Sequence, residues 1–401
     1  MSDPDLILRI AAKGDGVTAD GRHVPLSAPG DRLRIDGTLL PGPDHVDPPC
    51  RHFPECGGCQ LQHLSDRAFA DYVRDRVAGA LTGQGIVGTD VAEAHISPPR
   101  SRRRAALKAA RINGRITIGF AEQGSNRIVD MTMCELLHPA LFALVAPLRK
   151  LLARDTLMGR SAGITMALVD QGVDLLLEDV RSDGLAAAEA LTRFAQEQGL
   201  ARLTLAERET PPMTIWEPDA ATVSFGALPV HLPPGAFLQT TRDGEAALIA
   251  EMLAGVGTAA MVADLFAGLG TFALSLAGQG KVYAAEASRD MVMALKRAGD
   301  RRPGRVFVEH RDLFRRPLTP PELDRFDAII LDPPRAGARE QVAQLAASHA
   351  PRLVYVSCNP SSFARDAVTL IAGGYRLERV KPVGQFRWST HVELVGTFSR
   401  A

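Results

Sequence analysis

Four apolar runs in the second half of this chain limit its fold more than any other feature. They are Ala259-Ala-Met-Val-Ala263, Val282-Tyr-Ala-Ala285, Asp327-Ala-Ile-Ile-Leu331 and Pro351-Arg-Leu-Val-Tyr-Val356. Strands apolar on both faces belong to a parallel sheet covered on both sides. The first leads into a glycine loop and an apolar helix, Thr271 to Ala277; the others end at Glu286, Asp332 and Ser357-Cys358. Ligands of such sheets bind at the carboxyl ends of the strands. The polar residues at those ends are therefore the candidates for chemistry, in a doubly wound α/β domain expected over 235–401.

The remainder of the 401 residues leaves room for one or two further domains. Residues 1–45 alternate in short runs broken by glycine, such as Leu6-Ile-Leu-Arg-Ile10 and Asp31-Arg-Leu-Arg-Ile35, which reads as a small all-β barrel. Pro41-Gly-Pro43 and Pro48-Pro49 follow as a linker. Residues 46–234 read as a central α/β domain. Its expected helices are Ser65 to Leu81, with Ser65 as N-cap and Phe69, Tyr72, Val73 and Val77 on one face, and Leu185 to Gln198. Ile116 to Phe120 and Val173 to Leu177 read as strands. No window approaches the ~18 apolar residues of a membrane span, and Met1 to Asp5 do not begin a secretory leader. Five cysteines in so long a chain are no disulfide framework, so a reducing cytoplasm is expected.

Formal net charge is zero. Yet Arg100, Arg102, Arg103, Arg104, Lys108, Arg111 and Arg115 crowd together with no acid among them. They read either as a phosphate-contacting surface or as the solvated face of a strand pair.

Four cysteines, Cys50, Cys56, Cys59 and the distant Cys134, suffice to close a soft-metal site, zinc or iron–sulfur. Cys358 is left over for chemistry at carbon. In the glycine loop, Asp264-Leu-Phe266-Ala-Gly268-Leu-Gly270-Thr271-Phe272-Ala273, backbone can approach a ligand closely. Glu286 stands where an acid can accept from ribose hydroxyls. The same spacing satisfies the dinucleotide fingerprint, which keeps an NAD-dependent iron–sulfur oxidoreductase open. Asp332-Pro333-Pro334-Arg335 favours a different cofactor, because it resembles the catalytic loop of S-adenosylmethionine-dependent methyltransferases.

Taken together, these motifs resemble the RNA uracil-5-methyltransferase family, in its iron–sulfur branch typified by 23S ribosomal RNA (uracil-5-)-methyltransferases. The resemblance covers essentially the whole chain. It implies a TRAM-like, OB-like barrel at the N-terminus, a central domain holding a [4Fe-4S] cluster on Cys50, Cys56, Cys59 and Cys134, and a class I methyltransferase domain. It implies S-adenosylmethionine contacts from Gln239 (in Gly235-Ala-Phe-Leu-Gln239), Phe266, Thr271, Glu286, Asp312 and Asp332. Ser357-Cys358-Asn359-Pro360 matches the nucleophile loop, and His391-Val392-Glu393 the base motif. Two departures stand out: Thr271 where asparagine is frequent, and Gly384-Gln-Phe386-Arg387-Trp388 where Asp-x-Phe-Pro is common.

The implied chemistry is demanding. Uracil C5 is a poor nucleophile until the Cys358 thiolate adds to C6. The enolate-like C5 then takes the sulfonium methyl, and Glu393 removes the C5 proton so that the thiol can leave. The expected substrate is a flipped or looped uridine, in 23S ribosomal RNA or alternatively in tRNA. Phe386 and Trp388 are candidates for stacking on bases, or else packing residues. The protein is expected to act as a monomer without a membrane partner.

Overall fold

A computed structural model describes residues 3–207 and 210–400. Met1, Ser2 and Ala401, the outermost residues of the first and last expected domains, lie outside the described residues.

The four apolar runs become strands Met261–Leu265, Lys281–Glu286, Ala328–Leu331 and Arg352–Ser357. With Val306–His310 at the edge they form a parallel sheet in the order Val306–His310, Lys281–Glu286, Met261–Leu265, Ala328–Leu331, Arg352–Ser357. Glu393–Arg400 and Tyr375–Gly384 extend it antiparallel. Both faces are buried, as the unbroken apolar runs require. Val262, Ala328, Ile330, Val354 and Val356 face helices Arg242–Val256, Thr271–Leu276 and Arg289–Gly299. Ala263, Leu265, Ile329, Leu331, Leu353 and Tyr355 face Arg339–Ala347 and Pro360–Ala372. The result is a doubly wound α/β fold.

A third helix on that second face comes from far upstream. Asp66–Thr82 is capped by the Ser65 hydroxyl, which accepts from Ala68 N–H at 3.1 Å. It buries Phe69, Tyr72, Val73 and Val77 against the C-terminal sheet. Strands Asp90–Val91 and His95–Ile96 then pair in parallel with Tyr375–Gly384. Sheet membership thus draws much of 66–96, read from sequence as central domain, into the C-terminal body.

The central body is a six-stranded sheet ordered Met213–Trp216, Arg202–Ala206, Gly172–Val180, Met158–Val169, Arg104–Ile112, Arg115–Gly119. Helices Val145–Leu152 and Leu185–Glu197 share its core. At the N-terminus, Ile7–Ile10, Gly16–Thr18 and His23–Val24 form one antiparallel sheet, and Arg32–Leu33 with Leu39–Leu40 a hairpin. Among the described residues the Leu6–Arg32 bridge joins the two ladders, with Gly30 N–H donating to Ile7 O beside it, and the strands form two sheets, not one continuous barrel. Strands of two to four residues leave side chains to hold the module. The fully buried Asp31 carboxylate does so by accepting from Ala28 N–H, Gly42 N–H and His45.

Candidate active site

At the carboxyl ends of the parallel strands lies a cavity of about 450 Å³. Its walls contain every residue expected at the cofactor, Gln239, Phe266, Thr271, Glu286, Asp312 and Asp332, together with Cys358 and Glu393. The glycine loop is the floor. Gly268 and Gly270 take φ of +55° and +90°, and the loop reaches them through Phe266 at φ +63°. A non-glycine residue there is strained, a state that persists only when its surroundings enforce it.

Two strand-end carboxylates do the enforcing. Asp264, fully buried, accepts from Ala273 N–H at 2.9 Å, and its other oxygen has no partner. Glu286 accepts from Gly268 N–H at 3.0 Å with one oxygen, and from Ala287 and Ser288 N–H at 2.8 and 2.7 Å with the other. The glycine loop is thereby held between neighbouring strands. Asp312 holds the next loop, accepting from Phe314 N–H at 3.0 Å. Phe314 tilts against Phe266 with ring centroids 5.3 Å apart. Together these rings line one side of the cavity, and Phe314, 43% exposed, is a wall residue the sequence reading missed. Phe237 is another. It is 53% exposed at the mouth, with the Arg104 guanidinium 5.7 Å from its ring centre.

The reactive side wall is made by two loops tied together. Asn359 Nδ2 and Ser362 Oγ both donate to Arg335 O at 3.2 Å. They join the Asp332-Pro-Pro-Arg335 turn to the Cys358 turn. Burial pushes the Cys358 thiol up to about 11, with the Glu393 and Asp332 carboxylates adding to the shift. Burial likewise raises Asp332 to about 7. Glu393, 5% exposed, rises to about 8 through burial and then Asp332, against a lowering hydrogen bond from Gln385. Asp264 rises to about 8 through burial, Asp332 and Glu286. The cavity therefore gathers acids that resist simultaneous ionisation, and it favours a ligand that brings positive charge.

Gln385 and Arg387, in the segment that departs from the family pattern, are anchors. Gln385 Nε2 donates to Gln239 Oε1 at 2.7 Å, and its oxygen accepts from Thr240 N–H at 3.0 Å. Arg387 is buried, pairs with Asp66 and donates to Ser97 O at 3.1 Å. Trp388, offered by the sequence as a base-stacking candidate, is 5% exposed and packs on Cys59 and Leu136. Its carbonyl accepts from Gln60 and Leu61 N–H at 2.7 and 2.9 Å. It is a packing residue, whereas Phe386 remains half-buried at a surface.

Cys50, Cys56, Cys59 and Cys134 line one enclosed, mainly apolar cavity, all as free thiols. Burial pushes Cys59 up to about 12, and the charges of Cys134, Cys56 and Cys50 add to it. Four thiols lining one apolar cavity suit a soft-metal group. As they stand, no three His, Cys, Asp or Glu side chains among the described residues form a closed metal set: the thiols share a cavity, not a point.

The arginine cluster divides. Arg103 is buried against Glu245 at 2.6 Å, Arg100 pairs with Glu135 at 2.7 Å, and Arg111 caps the carbonyls of Leu152 and Ala153. Among the described residues Arg102 and Arg104 lie against ring faces without a carboxylate partner, and Lys108 and Arg115 are exposed, so only part of the cluster is taken up by acids and carbonyls.

Comparison with known proteins gives a consistent picture. The tRNA (uracil-5-)-methyltransferase family pattern matches residues 307–400. A Zymomonas mobilis protein named an uncharacterized RNA methyltransferase is 50% identical over 98% of this chain and 99% of its own length. The 23S rRNA (uracil(1939)-C(5))-methyltransferase of Halomonas elongata is 32% identical, over 90% of this chain and 78% of its own. Among solved structures, the Pyrococcus abyssi tRNA (uracil-54, C5)-methyltransferase bound to S-adenosyl-L-homocysteine superposes with a TM-score of 0.75. It is 20% identical and is covered to 99%, against 98% of this chain.

Proposed function

Because this chain belongs to the RNA uracil-5-methyltransferase family, and is an S-adenosylmethionine-dependent enzyme of that kind, we propose that it methylates C5 of an unstacked uridine in 23S ribosomal RNA through a covalent Cys358 adduct. The observation that carries this reading is the meeting of Cys358, Glu393 and the glycine loop in one cavity. The ribosomal substrate is supported by the Halomonas relative's name.

In this reading the Gly268–Gly270 turn, Glu286, Phe266 and Phe314 would hold S-adenosylmethionine, which when bound supplies the methyl group. The target uracil enters past Phe237, whose exposed ring can stack on it. Cys358 Sγ bonds to C6, and the C5=C6 electron pair shifts towards C5 and O4. C5 takes the methyl from sulfur. Glu393 removes the C5 proton, the C5=C6 bond re-forms, and Sγ leaves.

Charge times these steps. Burial, and then the Asp332 carboxylate, raise resting Glu393 to about 8, which favours its protonated form near neutral pH. A sulfonium nearby favours its ionised form, and the positive charge of Arg335 likewise favours the Cys358 thiolate. Once the methyl has moved, the sulfur is neutral. The proton affinity of Glu393 then climbs back at the moment it must accept the C5 proton.

The four cysteines would hold the [4Fe-4S] cluster, which when bound supplies cross-linking by iron–thiolate bonds. The support is the shared thiol cavity. As domains we propose an N-terminal OB-like module, the central sheet with the cysteine site, and the methyltransferase body.

The deciding experiment maps 5-methyluridine in ribosomal and transfer RNA with and without this gene. Loss confined to one 23S site is expected. Loss in tRNA would move the substrate, and no loss anywhere would reject the reading.

A further inference from the structure

Beside the active cavity lies a second pocket of about 390 Å³ that the reaction does not use. Four separate segments build it: the turn within the cysteine motif (Gly57, Gly58, Gln60), Arg102 just before strand Arg104–Ile112, the loop after strand Arg115–Gly119 (Phe120, Gln123) and the loop before Glu393 (Phe386, Ser389, Thr390, His391). The Arg102 guanidinium lies between two rings, 5.6 Å from the centre of Phe120 and 5.9 Å from that of Phe386. Among the described residues its only hydrogen bond runs from Nε to Arg104 O at 3.0 Å, so its outer nitrogens are left for a ligand. His391 tilts against Phe386 at 5.8 Å. It also contacts Arg335, a wall residue of the active cavity, at 3.3 Å. The two pockets therefore share a rim of cations and rings.

We infer that this pocket receives a second unstacked nucleotide of the substrate RNA, adjacent in sequence to the target uridine: its base packs on Phe386, and its phosphate faces Arg102. This rests on the RNA reading above and adds to it the place where sequence is selected. Three observations carry it. A volume of a few hundred cubic ångströms suits one nucleotide. Single-stranded RNA is read by aromatic and guanidinium faces, with polar groups on base edges, and Gln60, Gln123, Ser389 and Thr390 border the same space. Finally, the shared rim places this nucleotide next to the one undergoing chemistry. Burial lowers the His391 pKa, and the positive charges of Arg335 and then Arg102 add to the shift, so both cations lie near its ring.

The test uses the full-length protein and a short single-stranded RNA copied around the uridine whose methyl group is lost on gene deletion. Abasic sites are placed one at a time along it, and binding is measured by fluorescence anisotropy. A stacked base contributes roughly ten- to a hundredfold in affinity, so one flanking position should show that penalty in the wild type. In Phe386→Leu, which keeps an apolar side chain but loses the ring, the penalty at that position should shrink to under about threefold. The penalty at the target uridine should persist. Phe120→Leu tests the opposite wall and serves if Phe386→Leu does not fold. Undiminished S-adenosylmethionine affinity by calorimetry certifies folding in either case. A flanking penalty unchanged in both variants, or one relieved equally at every position, overturns the pocket assignment. Absence of any methylated uridine would instead overturn the RNA reading beneath it.

Discussion

Cys358 and Glu393 are separated by the methyl-transfer step, and substitutions should separate them too. Cys358→Ala should abolish turnover while keeping S-adenosylmethionine affinity, measured by calorimetry. Glu393→Gln should let the adduct form and methylate C5, yet prevent release. Enzyme and RNA should then migrate together on a denaturing gel, only when S-adenosylmethionine is present; normal turnover would reject Glu393 as the base. A pH prediction follows from the raised acids. Asp264, Asp332 and Glu393 have folded values of about 8, 7 and 8, above the roughly 4 of an unfolded carboxyl. The folded, cofactor-free protein thus holds more protons than the unfolded chain between those limits. Its stability should be greatest near the bottom of that window and fall as pH rises through it. S-adenosylmethionine, with its positive sulfur, should gain affinity over neutral S-adenosylhomocysteine across pH 6 to 8; a flat ratio in calorimetry would show that the acids do not sense the sulfur. Sequence made Cys358 and Glu393 legible because each sits in a short matching motif. Phe314 and Phe237 escaped because an exposed aromatic carries no mark in the sequence. Trp388 was left ambiguous because its side is set by two N–H donors more than three hundred residues upstream.

At the scale of elements, carboxylates at strand ends serve as clamps for loops. Glu286 fastens Gly268 and is the residue expected from the sequence to meet the ribose. Losing a hydrogen bond to a charged acceptor costs roughly 1.5–3 kcal/mol, or about ten- to a hundredfold in affinity. Glu286→Ala should weaken S-adenosylmethionine by at least that factor and leave RNA binding unchanged; equal cofactor affinity would place the adenosine elsewhere. The segment before Glu393 is clamped differently, by Gln60 and Leu61 immediately after Cys59. Whatever the thiols bind should therefore steady the base. Cys134→Ser should lower the iron content and speed amide hydrogen exchange at Gln60 and Leu61. Unchanged exchange alongside lost iron would uncouple the two sites. Strand positions were readable to within a few residues, since apolar runs and their polar ends mark them. The N-terminal ladders were less so, because strands of two residues are shorter than the alternation needed to declare them.

Across the whole molecule, sheet membership does not follow the boundary at 235 that the strand pattern suggests. Helix Asp66–Thr82 and strands Asp90–Val91 and His95–Ile96 show no sequence sign of belonging to the C-terminal sheet, because pairing across such distance leaves no local pattern. A fragment covering 235–401 should expose the Tyr375–Gly384 edge and the apolar face under the missing helix. Unpaired edges of that kind invite association. The fragment should aggregate or stay incompletely folded by circular dichroism and light scattering, whereas addition of residues 60–98 in trans should improve its solubility. A stable monomeric fragment would show that the upstream strands are ornament.

That edge pairing also sets a clock. Arg379 meets Asp90 across 289 positions, and a ribosome adds about 5–20 residues per second. The segment around Asp90 therefore emerges on the order of 15–60 s before its partner strand exists. During that interval a helix with an apolar face and two unpaired strands wait on the nascent chain. Cells that make this protein faster than a chaperone can shield residues 66–96 should lose yield, and slowing translation after residue 100 should not rescue it. Moving the segment to the carboxyl end in a circular permutant would remove the wait altogether.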